Sequence, residues 1–270
     1  PSRSANSIHV MNMCEALSKQ CNEVNLFIKL DSCNSSTNKE LENFYGIDLR
    51  NIHMHSPYFS SLKAIELRIA LKSLLIFLKN IFSKNTTVKV ISRNLYAAFI
   101  FGPILNKNII YETHSPEKGI RKILQKLIIK SCKVNTIVIS EALKKILLKY
   151  HSLEKFNLSV SVLHDAARSG QQMLNYHEKI ALRKEILHEF IPNFNNYEMI
   201  CGYFGHLYPG RGIEIILGAA KMNKNNLFII FGGNENQINV FKKNNNNSNI
   251  IFGGFLRPSH VKDYMKIMDI

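Results

Sequence analysis

Between Met199 and Gly233 the sequence runs MICGYFGHLYPGRGIEIILGAAKMNKNNLFIIFGG, and its residue types suit the holding of a phosphate. Gly205, Gly210 and Gly212 supply a turn whose backbone N–H groups can face an anion. The amphipathic segment that follows, with Ile213, Ile216, Leu217 and Ala220 on one side, would offer the positive end of a helix. Arg211 adds a permanent cation with a planar fork of donors, and His206 adds a weaker, pH-dependent one. A second glycine pair, Gly232 and Gly233, closes the next apolar run, where it permits close approach of backbone or ligand. The spacing matches neither Gly-x-x-x-x-Gly-Lys-Ser/Thr nor Gly-x-Gly-x-x-Gly. Taken alone, the glycines have an alternative reading, in which they only permit a tight turn and Arg211 is a solvated loop charge.

These residues need a strand–turn–helix–strand unit to position them, with the turn at the carboxyl end of the first strand, where open α/β sheets bind ligands. The rest of the chain repeats that pattern. Short apolar strands are expected at Val24–Ile28, Ile47–His53, Val88–Ser92, Ile109–Glu112, Thr136–Ser140 and Val160–Leu163, then at Met199–Phe204, Leu227–Phe231 and Ile250–Phe252. Helical periodicity is expected at Ile8–Lys19, Ser61–Phe82, Leu95–Leu105, Gly119–Cys132, Glu141–Tyr150 with Ser140 as N-cap, Glu178–Phe190 and Ser259–Met268. Pro1–Ser7 and Asp31–Glu40 read as polar loops. Strands that are short and almost wholly apolar predict parallel sheets covered on both faces, an α/β protein. Arg93, His114 and Asp165 each follow a strand, so a parallel sheet would bring them to its ligand edge. Arg93 has a structural alternative, an ion pair with Glu112 from the neighbouring strand end. His9, His53, His55 and His164 lack metal-ligating spacing and read as structural.

A length of 270 residues suits two domains, expected at residues 1–165 and 166–270. The five cysteines are odd in number and contain no Cys-x-x-Cys pair, which argues against a zinc site or disulfide framework and for a reducing, cytoplasmic setting. No run of about 18 apolar residues suggests a spanning helix, and no leader is evident. The chain opens without Met, inside a loop, and ends after the third strand of its second half, so truncation at both ends is expected. Of the net charge of +15, residues 60–150 carry +13, from 17 Lys or Arg against 4 Glu. Such a basic half suggests an anionic partner, a lipid surface at the inner face of the membrane or nucleic acid, or else solvated helix faces. Nucleic acid is disfavoured because no recognition motif or interleaved aromatic pattern accompanies the charge.

In order along the chain, SANSIHVMNMCEALSKQCNEVNLF, YETHSP, VISEALKKIL, VLHDAARSG, YFGHLYPGRGIEIILGAA and NIIFGGFLRPSHVKDYMKIMDI resemble successive motifs of the family 4 glycosyltransferases. The resemblance implies the GT-B fold, two Rossmann-like domains with parallel sheets facing across a cleft, here with the second domain incomplete. It implies transfer of a sugar from a nucleotide-sugar donor to a glycan or lipid-linked acceptor, with retention of configuration. No catalytic metal and no cofactor would be required, the nucleotide-sugar being a substrate. By motif position His114 would sit beside the transferred sugar. Gly205, His206, Gly210, Arg211, Gly212, Gly232 and Gly233 would bind the donor, and the loop at Ala5 and Asn6 would lie near the phosphates and acceptor. A donor site of this kind lowers the barrier by placing cations and N–H donors where the leaving diphosphate gains charge.

Three positions depart from the family pattern. His206 stands where the family has its first phosphate-binding Arg, and Arg211 where it has Lys. The Glu-x7-Glu segment that engages the donor sugar and ribose would fall beyond Ile270. These departures make a non-catalytic nucleotide-sugar-binding protein the alternative expectation.

Overall fold

A computed structural model describes residues 5–29, 38–57, 64–83, 87–165, 174–188, 191, 193–243, 245 and 247–270. The elements are, in order, α1 (Ala5–Ser18), β1 (Val24–Phe27), α2 (Asn38–Tyr45), β2 (Ile52–His55), α3 (Ile65–Ser83), β3 (Val90–Ser92) and α4 (Leu95–Phe99). They continue with β4 (Ile109–Glu112), α5 (Ile120–Lys130), β5 (Val134–Val138), α6 (Glu141–Tyr150), β6 (Val160–Val162) and α7 (Tyr176–Leu187). Last come β7 (Met199–Phe204), α8 (Ile213–Met222), β8 (Asn226–Phe231), α9 (Glu235–Lys243), β9 (Ile250–Gly254) and α10 (Pro258–Lys266).

By contact the chain forms two compact units. One comprises Cys21–Ser35 and Asn51–Ser169, the other Pro1–Gln20, Ser36–Arg50 and Gly170–Ile270. The first contains the parallel pair β1–β2 and a parallel sheet ordered β3-β4-β5-β6. Its core gathers Leu95, Phe101, Tyr111, Ile128 and Val134 beneath α3, α4 and α5. A second cluster, Ile129, Val138, Leu147, Leu153 and Val160, fills the space under α6.

The second unit holds a parallel sheet ordered β7-β8-β9. Strand β8 is buried on both faces, with Leu227, Ile229 and Phe231 packed against α7 and α10 residues and Phe228 and Ile230 against α8 and α9. That two-sided burial explains why its sequence is apolar without alternation. On the free edge of β7, Asp269 N–H donates to Ile200 O at 2.8 Å and Gly202 N–H to Ile270 O at 2.8 Å, so the chain end runs beside β7 in the same direction. Helix α2 belongs here too, with Phe44 stacked on Phe255 at 6.2 Å and the αL residue Gly46 closely packed on Ser259.

Each expected strand has a counterpart, but the one expected at Ile47–His53 is displaced to Ile52–His55, where it pairs with β1; most expected helices are present, and the bounds of β4, α6 and β7 match the sequence expectation. Three further differences have physical causes. Ala5 and Asn6 open α1 rather than lying in a loop, because burial of Met11 and Cys14 one turn apart anchors a helix that begins earlier; residues 1–4 lie outside the described residues. Part of the expected loop 31–40 is helix α2, held by Leu41 and Tyr45, its only buried residues; residues 30–37 are not described. The start of the expected helix at 61–63 is likewise outside the described residues. The expected helix over 95–105 widens into a π-turn at Ile100–Ile104, which accommodates Pro103, whose ring would clash with a carbonyl in a regular α-helix.

Candidate functional site

In the first unit the parallel pairing of β3 with β4 brings two strand ends together. Arg93 follows β3, Glu112 ends β4 and His114 lies two residues on. One oxygen of Glu112, Oε1, accepts from Arg93 Nη2 and from His114 Nε2, the latter at 2.8 Å. A carboxylate against Nε2 draws the donor N–H to that nitrogen and fixes the orientation of the ring. Exposure rises along the chain of contacts, from 10% for the Glu112 side chain to 19% for Arg93 and 42% for His114. Burial alone would raise the Glu112 pKa, but hydrogen bonds from Arg93 and His114 hold it below the usual value. Arg93 therefore serves the structural role expected of it and, through the shared carboxylate, the orientation of His114. Asp165 follows β6, two strands away from β4 in the sheet.

In the second unit the glycine turn leaves β7 and enters α8. Arg211 N–H donates to Tyr208 O at 3.2 Å across Pro209-Gly210, and Gly210 has φ +83°. Proline followed by a left-handed glycine is the composition of a type II turn. Gly212, at φ +79°, is the N-cap of α8 and offers no side-chain cap. The neighbouring α9, in contrast, is closed by reciprocal bonds between Asn234 and Gln237 at 2.9 and 3.0 Å. Arg211 is exposed and has no ion pair among the described residues. His206 stacks on Tyr208 with centroids 5.0 Å apart, and its carbonyl accepts from Tyr203 Oη at 2.9 Å.

The strand ends are bound to one another. Gly205 N–H donates to Phe231 O at 3.1 Å, and Gly232 N–H donates to Gly254 O at 2.6 Å. A Cβ on Gly232 would lie 1.8 Å from Gly205 O, so only glycine fits where the two loops meet. Gly233, at φ +74°, packs against the side chain of Leu207. With the chain end hydrogen-bonded on one side of β7 and β8 on the other, the turn at 205–212 leaves the carboxyl end of β7, the edge at which parallel α/β sheets bind ligands. Beyond β9 an open recess of about 470 Å³ is lined by Phe231, Phe252, Phe255, Arg257, His260 and Tyr264. Among the described residues no cluster of three His, Cys, Asp or Glu is arranged to hold a metal ion, and no helix is long and apolar enough to cross a membrane.

The expected site residues thus fall into two groups: His114 with Arg93, and the glycines with His206 and Arg211. Ala5 and Asn6 lie in the first turn of α1. Two features escaped the sequence expectation. Glu112 appeared there only as a partner for Arg93, although residues two apart in extended chain project to one side, a spacing that could have linked it to His114. The recess has no signature, since its aromatics converge only after folding.

Together the parallel sheets, the crossovers and the positions of the strand ends define an α/β protein of the GT-B class. No protein-family profile matches the chain, and no curated protein matches it in sequence. Among solved structures it is similar to Anabaena Alr3699/HepE in complex with UDP and glucose, with a TM-score of 0.61 and 13% identity over 99% of this chain and 70% of that one. The complex of the same protein with UDP-glucose gives 0.63 and 14% at the same coverage.

Proposed function

We propose that this protein is a glycosyltransferase that moves a sugar from a nucleotide-sugar to a glycan or lipid-linked acceptor with retention of configuration. The observation that carries the proposal is the turn at 205–212: it leaves the carboxyl end of β7 in a parallel sheet, ends in a helix N-terminus without a side-chain cap, and bears Arg211, which has no ion pair among the described residues. In the transfer the bond between the anomeric carbon and the diphosphate oxygen breaks, the acceptor oxygen bonds to that carbon, and the acceptor proton ends on the departing phosphate. Arg211 and the N–H groups of the turn oppose the charge that grows on the diphosphate. The imidazole of His114, held by Glu112, serves the sugar. The solved complexes of Alr3699/HepE with UDP and glucose and with UDP-glucose favour a uridine nucleotide as the donor to try first.

The acceptor is proposed to lie at the membrane face. Its support is the +13 balance of residues 60–150 and the row of exposed Ile120, Ile123 and Leu127 on the basic helix α5.

Calorimetry and turnover with UDP-glucose test the main proposal. Arg211→Ala is expected to weaken binding by about 10-fold, the loss shrinking as salt is raised. Failure of the wild-type chain to bind any nucleotide-sugar would sink it. Binding without turnover would select the second reading, a non-catalytic nucleotide-sugar-binding protein. One observation favours that reading: the ring of His206, at the position of the family's phosphate-binding Arg, is engaged in stacking on Tyr208.

A further inference from the structure

Gln125 is the one fully buried polar side chain on α5, at 0% exposure, and both ends of its amide are engaged. Its Nε2 faces Ser115 O at 3.1 Å, Thr113 Oγ1 at 3.1 Å and Tyr111 Oη at 3.3 Å, so two hydrogens are shared among three acceptors. Its Oε1 accepts from Glu117 N–H at 2.9 Å and from His151 Nε2 at 2.8 Å. His151 is 1% exposed, and its Nδ1 has no partner. Burial, followed by the charges of Lys122 and Lys126, lowers the His151 pKa. The ring is therefore neutral, with its proton on Nε2, and donates to Gln125. An amide turned the other way would set its NH2 against the Glu117 N–H and the His151 N–H, so the network fixes its orientation.

The consequence falls on the five residues 113–117, with His114 inside them. Ser115 and Glu117 are held through their backbones by the two ends of one side chain, and Thr113 is held through its hydroxyl, which also donates to Ser115 O at 3.1 Å. The Glu117 carboxylate is separately gripped by Arg121 at 2.7 and 2.8 Å, and Arg121 Nη1 reaches Glu66 on α3 at 2.6 Å. Glu112 sets the direction of the imidazole, whereas the amide sets the path of the backbone that carries it.

We propose that Gln125 is a positioning residue for His114, acting through the backbone of residues 113–117 without touching substrate. The kinetic expression of this role rests on the transferase reading above; its structural expression does not.

Amide hydrogen exchange on the full chain provides the test. In Gln125→Met, which keeps the volume and removes both polar ends, the amides of the segment outside the sheet ladder, His114, Ser115 and Glu117, are expected to exchange at least about 10-fold faster, while Thr113 N–H, bonded to Ile137 O, and the amides of β4 and β5 keep their protection. Unchanged exchange at His114, Ser115 and Glu117 overturns the proposal. So does loosening that spreads equally into β4 and β5, since that is how an ordinary core residue behaves. If the methionine variant does not fold, Gln125→Glu replaces it: this variant keeps an acceptor for Glu117 N–H and His151 and loses the donors to Thr113 and Ser115. Faster exchange confined to 113–117 supports the proposal, and its absence overturns it. With UDP-glucose as donor, kcat is expected to fall on the order of 100-fold, with KM changed by less than about threefold. A wild-type chain without turnover counts against the transferase reading alone and leaves the exchange result to decide the role of Gln125.

Discussion

Glu112 and His114 are joined by a 2.8 Å hydrogen bond between Oε1 and Nε2, and the same oxygen also receives Arg93. One carboxylate therefore neutralises a half-buried guanidinium and orients an exposed imidazole, so its removal should be felt in both stability and activity. Glu112→Gln is expected to cost about 2–3 kcal/mol in urea unfolding, because the Arg93 guanidinium loses the carboxylate it is paired with. Transfer should fall about 100-fold. Since the folded-state pKa of Glu112 is depressed, its stabilisation is complete above the unfolded value of about 4.3 and is lost as pH falls through the folded value. The gap between wild type and variant should therefore be constant from neutral pH down to about pH 5 and shrink below it.

The glycines of the second unit should differ in their tolerance of substitution. Gly232→Ala drives a Cβ into Gly205 O at 1.8 Å, and thermal unfolding is expected to show a loss of at least about 3 kcal/mol. Gly210→Ala meets no atom within 4 Å and has only its φ of +83° against it, so a loss of about 1–2 kcal/mol is expected. Equal losses at the two positions would contradict the packing described.

At the chain end Asp269 accepts from Lys179 Nζ at 2.8 Å and from Ile200 N–H at 2.9 Å, and it pairs with Arg183 at 2.6 Å. Although burial opposes it, these partners lower the Asp269 pKa. Its contribution is present above the unfolded value of about 3.9 and is lost as pH falls through the folded value. Asp269→Asn should destabilise by ~3 kcal/mol near neutral pH, leaving Arg183 without its counterion. It should also flatten the acid limb of a stability–pH curve below the unfolded carboxylate value of about 3.9.

Thiol labelling followed by peptide mapping gives an independent check on the helical start of the chain. Cys14 is buried in α1 and its thiol is pushed up to about 11 by that burial, while Cys21 and Cys132 are exposed. At pH 8 Cys21 and Cys132 should label readily, and Cys14 only with unfolding. Fast labelling of Cys14 would mean that α1 is not packed as described.

The sequence was most legible where one local signal sufficed. Ser140 caps α6 by accepting from Leu143 N–H at 3.2 Å, as its hydroxyl and position imply. The apolar run Met199–Phe204 followed by glycine gave β7 and its turn. Legibility failed where structure depends on distant partners. Helix α2 is short and polar apart from Leu41, Phe44 and Tyr45, and its packing on α10 comes from residues more than 200 positions away. Gln125 looks in sequence like one more polar residue on a basic helix; only the return of residues 113–117 and the approach of His151 make it a hub. The charged and glycine residues of the site were visible because they break local rules, whereas the side chains that hold them obey those rules.

The bonds that join Gly205 to Phe231 and Gly232 to Gly254 leave little slack between the three strand ends. A displacement at the turn bearing Arg211 must be carried to the end of β9, beside the recess lined by Phe255, Arg257 and His260. The edge of this sheet is therefore one tied rim, whose three strand ends share a single geometry.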